Sequence, residues 1–397
     1  MHRSGYPLRT LLIALTALTL AASASPSTAH EGHAHTARTD LGASAAFTAG
    51  GDLLAVRVEQ GRVVLRRSSD LGQHWSVGMP VSPAGEAISA EGENRPKLAV
   101  GPGDEIYVSW TQPLAQPYAG MIRFTRSRDG GAHFEPALTV HHDRQAITHR
   151  FESLFVDPAG NIFVAWIDKR DLVAARTANR AYTGAALYFA VSTDGGGHFN
   201  GDHRVADHSC ECCRIALASD GKTPGVLMFW RHIFPPNLRD HALARLHPDG
   251  SITGFQRATF DGWAIDACPH HGPALTVDQA GIRHAVWFSE RNGEGHVFYG
   301  RPGADGVEGQ QPVGDASAEH ADILATQTTL YMAWKEFDGT HTVLQSARSD
   351  DGGHTWANAT LARTDGASDA PHLLARGANA YVLWNTLDQG LRILPLP

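Results

Sequence analysis

All four cysteines of the chain fall in two short segments, Cys210-Glu211-Cys212-Cys213 and Cys268-Pro269-His270-His271. Sulfurs grouped with imidazoles can do one of two things. They can hold a metal, since several thiolates together select a soft ion such as Cu(I), or Zn(II) in a tetrahedral set. The ligands would then be Cys210, Cys212, Cys213 and Cys268 with His270, His271 and His320. The 23 histidines of the chain, three of them in the run His30-Glu-Gly-His33-Ala-His35, favour the metal reading, with copper ahead of zinc. Alternatively the cysteines pair, the usual fate of an even number in an exported protein. Cys210 or Cys213 would bridge to Cys268, whereas a vicinal Cys212–Cys213 bridge would strain the S–S geometry. The spacing is not a standard zinc-ribbon pair, so the residues leave metal, disulfide and buried thiol all open.

Charged side chains cluster in the same stretches of the repeat described next. Arg95, Arg150, Arg214, Arg231, Arg239 and Asp240 are candidates for binding a small anionic ligand, because guanidinium forks match carboxylates bidentately.

The elements that must position these groups are legible as repeats. The phrase Ser-x-Asp-x-Gly-x-x-aromatic occurs four times, at Ser68–Trp75, Ser127–Phe134, Ser192–Phe199 and Ser349–Trp356. It reads as a tight hairpin turn in which Asp70, Asp129, Asp194 and Asp351 are structural acceptors and Gly supplies a positive φ. A second element, a strand, a turn and a strand ending in Trp, recurs at Trp110, Trp166, Trp230, Trp287, Trp334 and Trp384, with a weak copy over Ala45–Val58. Third and fourth strands follow each copy. Short antiparallel strands at a fixed period predict an all-β, single β-propeller of four-stranded blades. Seven blades are expected, with six as the alternative. The last copy lacks a fourth strand, which residues near Thr36–Gly42 could supply. Antiparallel alternation then places the residues before each first strand, and those after each Trp, around one axial mouth. The four Asp turns fall on the opposite face.

The turn phrase resembles the Asp-box (BNR repeat) of the sialidase, or neuraminidase, superfamily of β-propellers. The pattern Cys210-x-Cys-Cys213…Asp261-Gly-Trp263…Cys268-Pro-x-x-Gly272-Pro273 is also similar to that of a group of exported bacterial sialidase-like proteins, a resemblance that covers nearly all of residues 40–397. It implies the propeller. It carries a possible activity too, an exo-α-sialidase-type glycoside hydrolase with a glycan as ligand. For that chemistry Arg95, Arg150, Arg214 and Arg231 would clamp a carboxylate, Tyr182 would be the nucleophile, Glu290 its activator and Asp168 the acid. Against it, the family's early Arg-Ile-Pro signature is absent and no Tyr stands at the mouth in a late blade. A third reading is a disulfide-stapled interaction scaffold.

The ends and the composition bound the rest. Arg3 and Arg9, the apolar run Leu11–Ala22 and small residues to Ala29 predict an export signal over 1–29, a His-rich flexible arm over 30–40 and the propeller over 41–397. Secreted or periplasmic localisation follows, with no transmembrane segment after signal cleavage. A net charge of −8 without a basic run argues against nucleic acid as a partner. Oligomeric state is not legible.

Overall fold

Seven antiparallel meanders follow one another along the chain, each paired only within itself. The first contains β1 (Ala43–Phe47), β2 (Leu53–Glu59), β3 (Arg62–Ser68) and β4 (Met79–Pro80). The second contains β5 (Lys97–Val100), β6 (Ile106–Pro113), β7 (Gly120–Ser127) and β8 (Leu138–Thr139). The third contains β9 (His149–Val156), β10 (Ile162–Asp168), a short helix α1 (Arg170–Thr177), β11 (Ala185–Ser192) and β12 (Asn200–Ser209). The fourth has β13 (Ala216–Ala218), β14 (Val226–Arg231), β15 (His241–Leu246) and β16 (Ile252–Arg257). The fifth has β17 (Ala274–Val277), β18 (Arg283–Arg291), β19 (Glu294–Pro302) and β20 (Val307–Val313). The sixth has β21 (Glu319–Ala325), β22 (Leu330–Phe337), β23 (Thr342–Ser349) and β24 (Ala357–Thr364). The last has β25 (His372–Arg376), β26 (Asn379–Thr386) and β27 (Gly390–Pro395). This computed structural model describes residues 1–2, 40–267, 269–291 and 293–397. The export signal and His-rich arm thus lie, but for their end residues, outside the described part. No helix among the described residues is long and apolar enough to cross a membrane.

The first strands contact one another in a closed circle, from β1 through β5, β9, β13, β17 and β21 to β25 and back to β1. They therefore surround the axis of a seven-bladed propeller, and the later strands of each blade lie progressively outward. Trp110, Trp166, Trp230, Trp287, Trp334 and Trp384 are all at most 2% exposed, so they fill the core and are not sugar-stacking platforms.

The four Ser-x-Asp-x-Gly turns join third strands to fourth strands, on the face away from the mouth. In the turn of the third blade Ser192 Oγ donates to Asp194 at 2.7 Å and accepts from Gly196 N at 2.8 Å, while Asp194 also accepts from His198 N at 3.0 Å. The glycine has a second duty. A Cβ on Gly196 would stand 2.8 Å from Phe124 in β7, one on Gly131 would stand 2.9 Å from Leu65 in β3, and one on Gly72 would stand 3.3 Å from Ile393 in β27. Gly353 approaches Tyr299 in β19 in the same way. In every case the neighbour is the third strand of the preceding blade. The missing side chain sets the distance between blades.

The last sheet has three strands, and residues 40–42 form none; residues 36–39 lie outside the described part. Blades seven and one are joined by an apolar cluster that includes Ala43, Leu53, Tyr381, Leu383 and Ile393. Polar clasps reinforce it: Asn385 Nδ2 donates to Leu41 O at 2.8 Å, and Arg95 ties Ala43 O, at 3.1 Å, to the carboxylate of Asp369.

Two glycine substitutions separate the roles of the turn. Gly61 also has a positive φ, but a Cβ there meets nothing within 4 Å. Gly61→Ala should cost only the left-handed strain, roughly 1–2 kcal/mol. Gly196→Ala adds overpacking against Phe124 and should cost roughly 1–3 kcal/mol more. Denaturant unfolding of both variants checks this, and equal costs would dismiss the interblade role.

Candidate functional site

The residues between β12 and β13 carry three thiols. Cys210, Cys212 and Cys213 are each 5% exposed or less, and their sulfurs all lie within 4.8 Å of one another. Cys210 Sγ stands 3.2 Å from Cys213 Sγ and 3.9 Å from Cys212 Sγ. The 3.2 Å separation is a thiol–thiol contact, well beyond the roughly 2.05 Å of a disulfide. The backbone holds the group in place, with Cys210 N donating to Arg231 O at 3.1 Å. Phe151 packs on the sulfurs from a β-bulge in β9, where its φ is 56°. Hydrogen bonds from Cys212 and Cys213, with Arg231 nearby, hold the Cys210 thiol well below its ordinary range. The same contact with Cys210 pushes Cys213 up. The cluster therefore readily yields one thiolate, the form that binds metal.

The second cysteine segment passes close by. The backbone of Gly272 lies so near Arg214 that a Cβ would collide with its main chain, at 2.7 Å from Cα. Cys268 itself lies outside the described residues, so its predicted place in the metal set or in a bridge has no geometry. His270 takes a φ of 56° just beyond. His271 stacks on Phe288 with ring centres 4.4 Å apart, and its ring lies 4.8 Å from that of His320. Donor atoms of His271, Glu319 and His320 all lie within 4.8 Å of one another, the second such group among the described residues. Burial holds His271 down at about 4. Burial and Lys335 hold His320 down at about 3. Burial opposes charge on Glu319, but Lys335 and His320 outweigh it and keep the carboxyl below its usual range. At neutral pH the group is two neutral imidazoles and a carboxylate.

The predicted arginines are at the mouth, and the forks of Arg95, Arg150, Arg214 and Arg231 are already engaged. Arg95 is fully buried on Asp369, Ala43 O and Gly92 O. Arg150 pairs with Glu91. Arg214 pairs with Glu93 at 3.2 Å and donates to Pro273 O at 2.9 Å and Ala321 O at 2.8 Å. Arg231 donates to Phe288 O at 2.7 Å, His271 O at 3.0 Å and Arg239 O at 3.2 Å. Arg239 is buried, with its backbone N on Trp263 O at 2.6 Å. Asp240 accepts from the Asp261 and Gly262 backbone at 2.8 and 3.2 Å and from Arg257, which shapes the turn before Trp263.

The three catalytic candidates are not brought together by any hydrogen bond among the described residues. Asp168, fully buried in blade three, is held by Trp166 Nε1 at 2.9 Å and by Arg170 at 2.7 Å. Tyr182 donates to Asp207 at 2.9 Å, and burial together with that carboxylate pushes its phenol up, away from nucleophilic form. Glu290, in blade five, accepts from Trp263 Nε1 at 3.1 Å.

Sequence reasoning missed the acids that meet these cations, Glu93, Glu319, Asp322 and Asp369. Glu93, Glu319 and Asp322 lie within two residues of Arg95 or His320, so the neighbourhood of the first strands was the available signal, whereas nothing singled out lies so near Asp369. Glu93 is buried among Arg214, Arg95, His372 and Lys97, and burial with Arg95 brings Lys97 down to about 8. Glu93 Oε2, Arg95 Nη2, Arg150 Nε, Glu152 Oε1 and His372 Nε2 are buried without a hydrogen-bond partner among the described residues.

No protein-family model and no curated protein matches this sequence. Among solved structures the chain is similar to an ulvan lyase of polysaccharide lyase family PL25 bound to -[GlcA(1-4)Rha3S]-. The TM-score is 0.56 at 10% identity, over 88% of this chain and 91% of that one. Similarity extends to the polysaccharide lyase Uly1, with a TM-score of 0.55, 11% identity and 90% of each chain covered. An α-L-arabinofuranosidase, arb93a from Fusarium graminearum, gives 0.50 and 13% identity over 81% of this chain and 92% of that one. The chain therefore shares its propeller fold with glycan-processing enzymes. At such identities the likeness is one of fold alone.

The depressed imidazoles have a pH signature. An unfolded histidine takes a proton near pH 6.5, while His271 and His320 stay neutral in the fold until about 4 and 3. Below about pH 6.5 the unfolded chain thus binds more protons, and stability should fall as pH drops towards 4. Buried His141, His232 and His241 act with the same sign. His320→Asn, which tolerates the positive φ, should therefore flatten but not abolish the loss. Denaturant midpoints at pH 7, 5 and 4 measure the difference between variant and parent.

Proposed function

We propose that this chain is an exported propeller that binds a soft metal ion, copper(I), on Cys210, Cys212 and Cys213 at its axial mouth. The observation that carries this reading is the convergence of three buried sulfurs within 4.8 Å. Three thiolates at about 2.3 Å from one ion stand about 4 Å apart in a trigonal set; Cys210 and Cys212 are already 3.9 Å apart, while the 3.2 Å between Cys210 and Cys213 would open on binding. Grouped thiolates are soft ligands and suit Cu(I), with Zn(II) as the alternative. Arg231 supplies positive charge beside the thiolates, offsetting part of their mutual repulsion. The signal-like residues 1–29 support a secreted or periplasmic setting, where such a site would meet exogenous metal.

A second reading has its own observation. Arg95 Nη2, Arg150 Nε and His372 Nε2 are buried at the mouth without partners among the described residues, which suits a small anionic or glycan ligand and accords with the glycan-processing enzymes that share the fold. Sialidase chemistry is less well supported, because the four clamp arginines already hold carboxylates or carbonyls and Tyr182 is deactivated.

Anaerobic titration with Cu(I) against a chromophoric chelator tests the first reading. The protein should withhold one equivalent, and Cys210→Ser or Cys213→Ser should release it. Thiol counting before and after reduction accompanies the titration. A parent protein that fails to compete for Cu(I), or whose cysteines titrate only after reduction, would defeat the metal reading and favour the stapled scaffold. A fluorogenic sialoside should remain intact.

A further inference from the structure

The group His271, Glu319 and His320 is a separate feature of the mouth, with a donor set of different hardness. We propose that it is a second metal site, taking a borderline divalent cation of the zinc(II) type on two imidazoles and one carboxylate, independently of the thiols.

Four observations converge on it. One donor atom from each residue lies within 4.8 Å of the others. Nδ1 of His271 and Nδ1 of His320 are buried with no hydrogen-bond partner among the described residues. Leaving such nitrogens unmet is unfavourable, and ligation of an imidazole through that atom would remove the deficit. The backbone is bent to present the second imidazole: the pairing of β21 with β22 slips between Glu319 and Asp322, and His320 sits in that bulge with a φ of 54°. A positive φ on a bulky residue is strained, and bulges re-aim side chains next to functional sites.

The supports around the group are those a metal site requires. Glu319 Oε1 is held by Lys335 Nζ at 3.1 Å, while Oε2 faces His320 Nε2 at 3.9 Å. One oxygen is fixed and the other turned towards the histidines. His271 is pinned on both sides, its carbonyl by Arg231 at 3.0 Å and its ring by Phe288. Such outer contacts orient ligands and tune their affinity. Imidazole and carboxylate suit Zn(II), Ni(II) or Cu(II) better than Cu(I), so the two groups divide metals by softness. Three protein ligands leave a divalent ion with an open position, the pattern of sites that bind or activate a further molecule.

Cobalt(II) distinguishes the two sites, because only sulfur ligation gives an intense thiolate charge-transfer band. The full chain with Cys210, Cys212 and Cys213 all changed to Ser should bind Co(II) without that band. His271→Ala and His320→Asn, each added to it, should lose one equivalent, while the His30–His35 segment contributes equally to all variants. In the parent background both histidine variants should still withhold Cu(I), which keeps failure of this site distinct from failure of the thiol site. Should the triple serine chain not fold, the parent compared with Glu319→Gln gives the same decision, one equivalent of band-free Co(II) lost. Equal band-free Co(II) binding in parent and variants, or none in the parent, would overturn the proposal.

Discussion

Arg95 is one side chain on which three blades meet. Its guanidinium accepts no substitute easily, because it is fully buried and reaches Gly92 O in its own blade, Ala43 O in the first and Asp369 in the last. The last blade has three strands among the described residues, so no added strand from 40–42 sews the ring shut. Among the described residues, closure rests on apolar packing across the seam, on this pair and on the bond from Asn385 to Leu41. Removing one partner of a buried ion pair typically costs about 3–5 kcal/mol, since the other is left charged and dry. The circle of first strands, and with it every residue at the mouth, presupposes that seam.

The same use of arginine recurs around the axis and decides what chemistry is left. Arg214 and Arg231 spend their forks on carbonyls of neighbouring blades. They are tie-bars more than ligand clamps. Beside them stand two groups of metal-type donors among the described residues, the thiols before β13 and the imidazole–carboxylate set at β17 and β21, together with the unpartnered polar atoms around Glu93 and Arg150. A shared fold with polysaccharide lyases and an arabinofuranosidase does not bring their chemistry with it, because function resides in the site that a scaffold carries.

The disc was legible in the sequence because its determinants are local and repeated. A Ser-x-Asp-x-Gly turn needs only its own eight residues, and a buried Trp at a fixed strand position marks a blade wherever it recurs. Blade one, which has no Trp in β2, was correspondingly faint. What stayed hidden depends on partners distant in the chain. Nothing near Arg95 announces Asp369, and nothing near Tyr182 reveals that Asp207, not a glutamate, accepts its hydrogen bond. Glu319 was passed over beside His320, because a carboxylate next to a histidine is ordinary surface until a bulge turns both inwards. The cysteines were found because their type is rare and their spacing tight. Their companions were not, for the opposite reason.

The turn glycines fix the spacing of four blades from the preceding ones at the face opposite the mouth. Interblade geometry is thereby anchored away from the chemistry. Connections between second and third strands can lengthen without disturbing the wheel, as the segment bearing α1 shows by inserting a helix between β10 and β11 while their pairing runs unbroken from Ile162 to Asp168. One rim is the conserved chassis in a mechanical sense, and the other is free to acquire new loops, ligands and specificities at little cost in folding.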